Sequence, residues 1–144
     1  MQNVEVVRLF DTAPEDLWAV YTDHAGWSRW AGFQKSYLEK KGSPDPNGTG
    51  AVRVLGSSGV DAVEEVLDFE PPRRMTYRIV RGALPMKNHL GEVCLEPDGN
   101  GTRLVWRCRF ESKIFGLGWL LQGIVTTFFR RALAGLDRHL ARTT

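Results

Sequence analysis

A few side chains in this sequence could do chemistry inside an apolar setting: the carboxyl of Glu65, the guanidinium of Arg53, the imidazole of His89 and the phenol of Tyr77. A histidine titrates near neutrality and can act as acid, base or hydrogen-bonding ligand contact. A carboxyl removed from water must be paired or protonated, so an inward Glu65 asks for a cation, and Arg53 is one conceivable partner. Glu65 and His89 are therefore the candidate catalytic residues, and all four are candidate polar contacts for a ligand.

Strand alternation assigns faces to them. Over 63–69 the set Val63, Glu65, Leu67 and Phe69 is the more apolar, which brings Glu65 inward; a bulge that turns Glu65 outward beside Glu64 is the open alternative. Arg53 alternates with Val52 and Val54, so its face is open, as is that of Tyr37 beside Leu38. Tyr77 and Ile79 form one inner row, and His89 falls on the side of Val93. Leu104, Trp106, Cys108 and Phe110 form another, with Arg103, Arg107 and Arg109 opposite. A two-residue turn at Gly99-Asn100 sets Glu96 against Arg103, Glu92 against Arg107 and Val93 against Trp106. That register turns Cys94 outward and Cys108 inward, so the two thiols should not bridge.

Other chemistry is excluded by spacing. His24, His89 and His139 lack the spacing of metal ligands, and no P-loop, dinucleotide, GxSxG or HExxH motif is present. No metal and no cofactor are expected. An inward Cys108 reads as a small hydrophobe. The pairs Arg73-Arg74 and Arg130-Arg131 read as solvated surface.

The elements that must position these groups are legible in outline. Val4–Phe10 is an opening strand. Thr12-Ala13-Pro14-Glu15 reads as a capping box before a short helix bearing Leu17, Val20 and Tyr21, and Asp23–Trp30 as a second short helix with Trp27 and Trp30 on one face. After the turn-rich segment 42–50, strands are predicted at 51–55, 63–69, 75–80, 90–96 and 103–110, with short links that favour an antiparallel meander. A long helix over 117–140 carries Leu117, Leu121, Ile124, Val125, Phe128, Ala132 and Leu136 on one face, and Trp119, Arg130 and Asp137 opposite. Gly123 and Gly135 within it mark either close packing or ligand space. The sheet can bury one face only against that helix, which makes an α+β fold of six to seven curled strands.

With 144 residues, 42% hydrophobic and 25% charged, the chain suits a single domain over 1–144 and excludes fibrous and disordered classes. The net charge of +2 does not call for a nucleic-acid partner. Residues 1–10 carry Glu5 and Arg8 and no signal-like apolar core, and the charge-free stretch Ile114–Phe129 is too short for a span, so a cytoplasmic location is expected.

The chain resembles the START-like (SRPBCC) superfamily in its polyketide cyclase/dehydrase-like branch. The resemblance is carried by Thr-Ala-Pro-Glu-Asp-Leu-Trp at 12–18, Gly50-Ala51-Val52-Arg53, and Glu64-Glu65-Val66 leading into Phe69-Glu70-Pro71-Pro72-Arg73-Arg74-Met75-Thr76-Tyr77. Gly101-Thr102-Arg103-Leu104-Val105-Trp106 completes it. It implies a helix-grip fold, with an apolar cavity between the sheet and the C-terminal helix that holds lipids, polyketides or other hydrophobic molecules. No catalytic motif of the family's cyclases matches positions here.

The leading expectation is binding or transport of a small hydrophobic molecule. Arg53, Glu65, Tyr77 and His89 would be its polar contacts, and Trp106, Leu121, Val125 and Phe128 its apolar walls, with exchange through the 82–88 loop and the 57–59 hairpin. The rivals are a cyclase, dehydratase or hydrolase using Glu65 or His89 as acid/base, and an interaction protein whose cavity is filled by its own side chains. Trp119, on the polar side of the long helix, is a candidate dimer or membrane-surface contact, with monomer and homodimer both open.

Overall fold

Gly99 takes a positive φ of 58°, the left-handed conformation that a two-residue hairpin turn demands. That turn joins β6 (Met86–Asp98) to β7 (Gly101–Ser112), with Glu96 opposite Arg103, Glu92 opposite Arg107 and Val93 opposite Trp106. The register is the one alternation predicted. Cys94 is accordingly half-buried, Cys108 is buried, and both thiols are free.

The computed structural model describes residues 1–143. Before this hairpin come β1 (Gln2–Phe10), α1 (Pro14–Tyr21), a 3-10 helix (His24–Arg29), β2 (Lys35–Lys40), β3 (Val52–Ser57), β4 (Val60–Glu70) and β5 (Arg74–Gly82). After it comes α2 (Gly118–Thr143). The seven strands form one antiparallel sheet in the order β1-β7-β6-β5-β4-β3-β2, so β1 and β2 are its edges. This is the α+β helix-grip architecture, with the core between the sheet and α2.

Two local expectations need correction. The capping box does not form: Ala13 is the N-cap and makes no side-chain cap bond, while Pro14 opens the helix. Thr12 instead offers its carbonyl to the Thr102 hydroxyl at 2.6 Å, tying the helix entrance to β7. The second short helix is a 3-10 helix, and it brings the Trp27 and Trp30 rings to 4.7 Å as their spacing predicted.

The buried stripe of α2 is also rotated from the predicted one. Leu121, Val125, Phe129, Ala132, Leu133, Leu136 and Leu140 are buried, Phe128 is half-buried and Ile124 is 44% exposed. The helix leans on β1 and β7, at one side of the sheet, which turns Ile124 and Phe128 toward its other half. The same lean brings Asp137, expected to be solvated, within 2.9 Å of Arg8 on β1. Gly135 is a close-packing position, since a Cβ there would lie 2.0 Å from the Trp30 carbonyl oxygen; Gly123 faces open space.

Candidate functional site

Arg53 and Glu64 stand directly opposite one another on β3 and β4. The register of β4 against β5 shifts between Val63 and Glu64 and again between Val66 and Phe69. The first shift skips Val80 on β5 and leaves β4 alternating, so Ala62, Glu64 and Val66 share the interior face; the second adds a residue to β4 and brings Phe69 to the same side, where its ring lies 5.3 Å from Trp18. Glu65 is turned to the outer face and pairs with Arg78 at 2.7 Å. The expected inward Glu65 is thus corrected to Glu64, because a bulged strand does not alternate uniformly along its length.

Arg53 is completely buried. Its Nε donates to Glu64 Oε1 at 2.9 Å, and its second terminal nitrogen lies 2.7 Å from the same oxygen, a charge contact without hydrogen-bond geometry. The guanidinium is sandwiched between two ring faces, 4.3 Å from the Trp27 centroid and 4.7 Å from that of Tyr77. Its remaining terminal nitrogen donates to His24 Nδ1 at 3.2 Å, while His24 Nε2–H donates to the Asn47 carbonyl at 2.9 Å. Both contacts fit a neutral His24. Burial, reinforced by the Arg53 charge, brings its pKa down to about 3. Burial works against the charge on Arg53, but the Glu64 carboxylate favours it and the guanidinium stays protonated. Burial also raises the Tyr21 and Tyr77 phenols far above their usual range, so both stay protonated.

Above this buried network lies a cavity of about 260 Å³ between the sheet and α2. Of the residues singled out in the sequence, Tyr77, His89, Trp106, Val125 and Phe128 line it, together with Glu64, Trp27 and Phe129. Arg53 sits behind this wall and acts on it through Glu64; Leu121 is buried but does not reach the cavity. Trp106 stacks on Phe129 with ring centroids 3.8 Å apart, and its indole N–H donates to the Tyr77 hydroxyl at 2.7 Å. Tyr77 can lie flat here because Gly91 faces it across β5 and β6; a Cβ at that position would come within 2.2 Å of the ring.

His89 accepts the Ile79 backbone N–H at Nδ1, at 3.1 Å, which places its single proton on Nε2. Burial lowers its pKa, Arg53 adds to the effect and Glu64 opposes it, so the ring is neutral near pH 7. Among the described residues, the polar groups on the cavity wall that lack a partner are the second oxygen of Glu64, the Nε2–H of His89 and the hydroxyl proton of Tyr77; Asp61, whose Oδ2 pairs with Lys35, also lines the cavity and keeps its Oδ1 without a hydrogen bond. The Glu64 acceptor and the two donors converge in a mostly apolar enclosure, a combination that can hold and orient a small neutral polar group. Cys108 does not line the cavity, and burial pushes its thiol up to about 12, so it supplies no nucleophile there. No metal-binding cluster exists among the described residues.

The signal that would have found Glu64 lies in the neighbouring hairpin. Ser58 and Gly59 take φ of 53° and 80°, a second two-residue turn. The pairing of Ser57 with Val60 then carries Arg53 onto Glu64, by the argument that fixed β6 on β7. His24, Tyr21 and Phe129 carried no comparable signal.

A second hollow, an open groove of about 920 Å³, runs outside along α2 from Trp119 and Leu120 to Arg138, facing Trp30–Phe33 and Ser57. It is the larger of the two, but it lacks the buried polar groups of the inner cavity. The groove and the cavity share Phe33, Ile124 and Phe128, and the Phe33 and Phe128 rings, 5.2 Å apart, partition them. No helix among the described residues is long and apolar enough to cross a membrane.

The fold recurs in solved structures. A START superfamily protein from Mycobacterium smegmatis superposes with a TM-score of 0.85 at 11% identity, covering 99% of both chains. A protein from Thermobifida fusca gives 0.82 at 21% identity, over 99% of this chain and 95% of that one. In sequence, an uncharacterized protein of Mycobacterium tuberculosis is 26% identical over 132 residues, which is 88% of this chain and 77% of the relative. The profile described as polyketide cyclase / dehydrase and lipid transport matches residues 1–141, and the chain belongs to that family.

Proposed function

We propose that the chain binds a small, largely apolar molecule carrying one neutral polar group, typically a hydroxyl, in the cavity between the sheet and α2. The observation that supports this reading is the gathering of the unpartnered Glu64, His89 and Tyr77 groups on one apolar wall. A hydroxyl can donate to Glu64 while accepting from His89 or Tyr77. A volume of 260 Å³ corresponds to about nine waters at about 30 Å³ each, room for one or two rings. Apolar enclosure would supply affinity at roughly 25 cal/mol per Å², and the polar groups would supply orientation. Val60, Asp61, Gly82, Ala83 and Leu84 line one end of the cavity, so exchange runs between the β3–β4 turn and the β5–β6 connection.

Glu65 is not available to a catalytic reading, since it lies on the outer face. His89 presents a proton donor to the cavity, its lone pair being taken by Ile79, and so is not placed to act as a base.

Naphthol, naphthalene and naphthoate, followed by quenching of Trp27 and Trp106 fluorescence and by calorimetry, test the proposal. Naphthol should bind about tenfold tighter than naphthalene, one net hydrogen bond's worth, and naphthoate should bind weakest because of the Glu64 charge. His89→Leu should narrow the preference for naphthol while leaving naphthalene affinity in place. Equal affinity for all three would defeat the polar assignment, and no binding by any would defeat the reading as a whole.

A further inference from the structure

We infer that the exposed apolar patch around the start of α2 docks on an anionic lipid surface. Ile114 is 48% exposed, Phe115 completely so, Trp119 70%, Leu120 44% and Ile124 44%. Phe115 sits at the tip of the turn into α2, beside Gly116 with its positive φ of 83°, where it touches nothing that would hold it in a core. Trp119, Leu120 and Ile124 continue the patch along the outer groove. Large aromatic and aliphatic side chains clustered at one exposed corner are the group that partitions into the headgroup region of a bilayer.

Charge selects the partner. Between Glu111 and Asp137 the sequence contains Lys113, Arg130 and Arg131 and no acidic residue. Arg131 and Arg138 line the groove, and these four cations form no ion pair among the described residues. A second copy of the chain would bring like charges together, which disfavours self-association through this face. An anionic bilayer satisfies both the apolar tip and the basic flank. The same face leads inward: Phe33, Ile124 and Phe128 separate the groove from the cavity, so a docked chain would hold its ligand one aromatic layer from lipid. That last step rests on the binding reading above, whereas the docking itself does not.

Co-sedimentation with vesicles of phosphatidylcholine alone, and with about one quarter phosphatidylglycerol, tests the proposal. The chain should bind the anionic vesicles and lose at least about tenfold in partitioning at about 0.5 M salt. The double variant Phe115→Ser/Trp119→Ser should lose at least about tenfold as well, and Arg130→Gln/Arg131→Gln should weaken binding to anionic vesicles only. Neither Phe115 nor Trp119 lines the cavity, so naphthol binding in solution should be unchanged in the first variant, which separates failure of docking from failure of the binding reading. Equal binding to both lipids, no binding to either, or retained binding in the double variant overturns the proposal. Light scattering that shows a dimer lost in the double variant, without vesicle binding, would assign the patch to a second copy instead.

Discussion

Removing Glu64 should damage the protein more than removing both members of its ion pair. In Glu64→Leu the Arg53 guanidinium keeps its two ring contacts and its bond to His24 but loses its counter-charge, at zero exposure to solvent. Leaving one charge of a buried pair without its partner costs about 3–5 kcal/mol. With 144 residues and about 2.1 cal/mol/K per residue of unfolding entropy, that is a fall of roughly 10–16 °C in Tm. In the double variant Arg53→Met/Glu64→Leu no charge is stranded, and the main residual loss is the donor to His24 Nδ1, about 1–3 kcal/mol. Urea denaturation of wild type, both single variants and the double variant closes a thermodynamic cycle, and the coupling between the two residues should be at least about 2 kcal/mol. Additive losses, or a Glu64→Leu cost below about 1 kcal/mol, would refute the argument that this pair is effectively shielded from water.

His24 and two glycines of α2 give three further tests. His24 has a folded pKa of about 3 against 6.5 in the unfolded chain, so the unfolded state binds the extra proton as pH falls below 6.5. Its contribution is therefore complete above that pH and declines toward pH 3 by about 1.4 kcal/mol per unit; the wild type should lose that much more than His24→Gln between pH 6 and 5, and equal slopes would disprove it. In α2, Gly123→Ala should stabilise by about 1 kcal/mol, because the new methyl meets nothing, whereas Gly135→Ala should destabilise by about 1–3 kcal/mol against the Trp30 carbonyl, both read from denaturation midpoints.

The sheet was legible because two-residue turns and alternation carry register without knowledge of the rest of the fold. Val93 met Trp106 and Cys108 turned inward for that reason alone. Glu64 was missed because the face of β4 was assigned from a set ending at Phe69, and the extra β4 residue between Val66 and Phe69 reverses the alternation upstream of it. The phase of α2 was off by roughly one position for a different reason: hydrophobic periodicity defines a stripe but not which part of the sheet the stripe leans on, so Phe129 and Leu133 were passed over for Ile124 and Phe128. His24 was invisible as a site residue, since its partners, Asn47 and Arg53, come from a loop and a strand well separated from it in the chain.

The strand order has a consequence in time. β1 pairs only with β7, Gln2 lying opposite Phe110, while β2 through β7 follow one another as neighbours. A ribosome adding about 5–20 residues per second needs roughly 5–20 s to make the hundred residues between Phe10 and Phe110, and through that interval the first strand waits without its partner. Val4, Val6 and Phe10, which become buried, are the side chains left uncovered while it waits. The nascent chain is therefore most open to wrong pairing, and most in need of a chaperone, at its earliest-made strand.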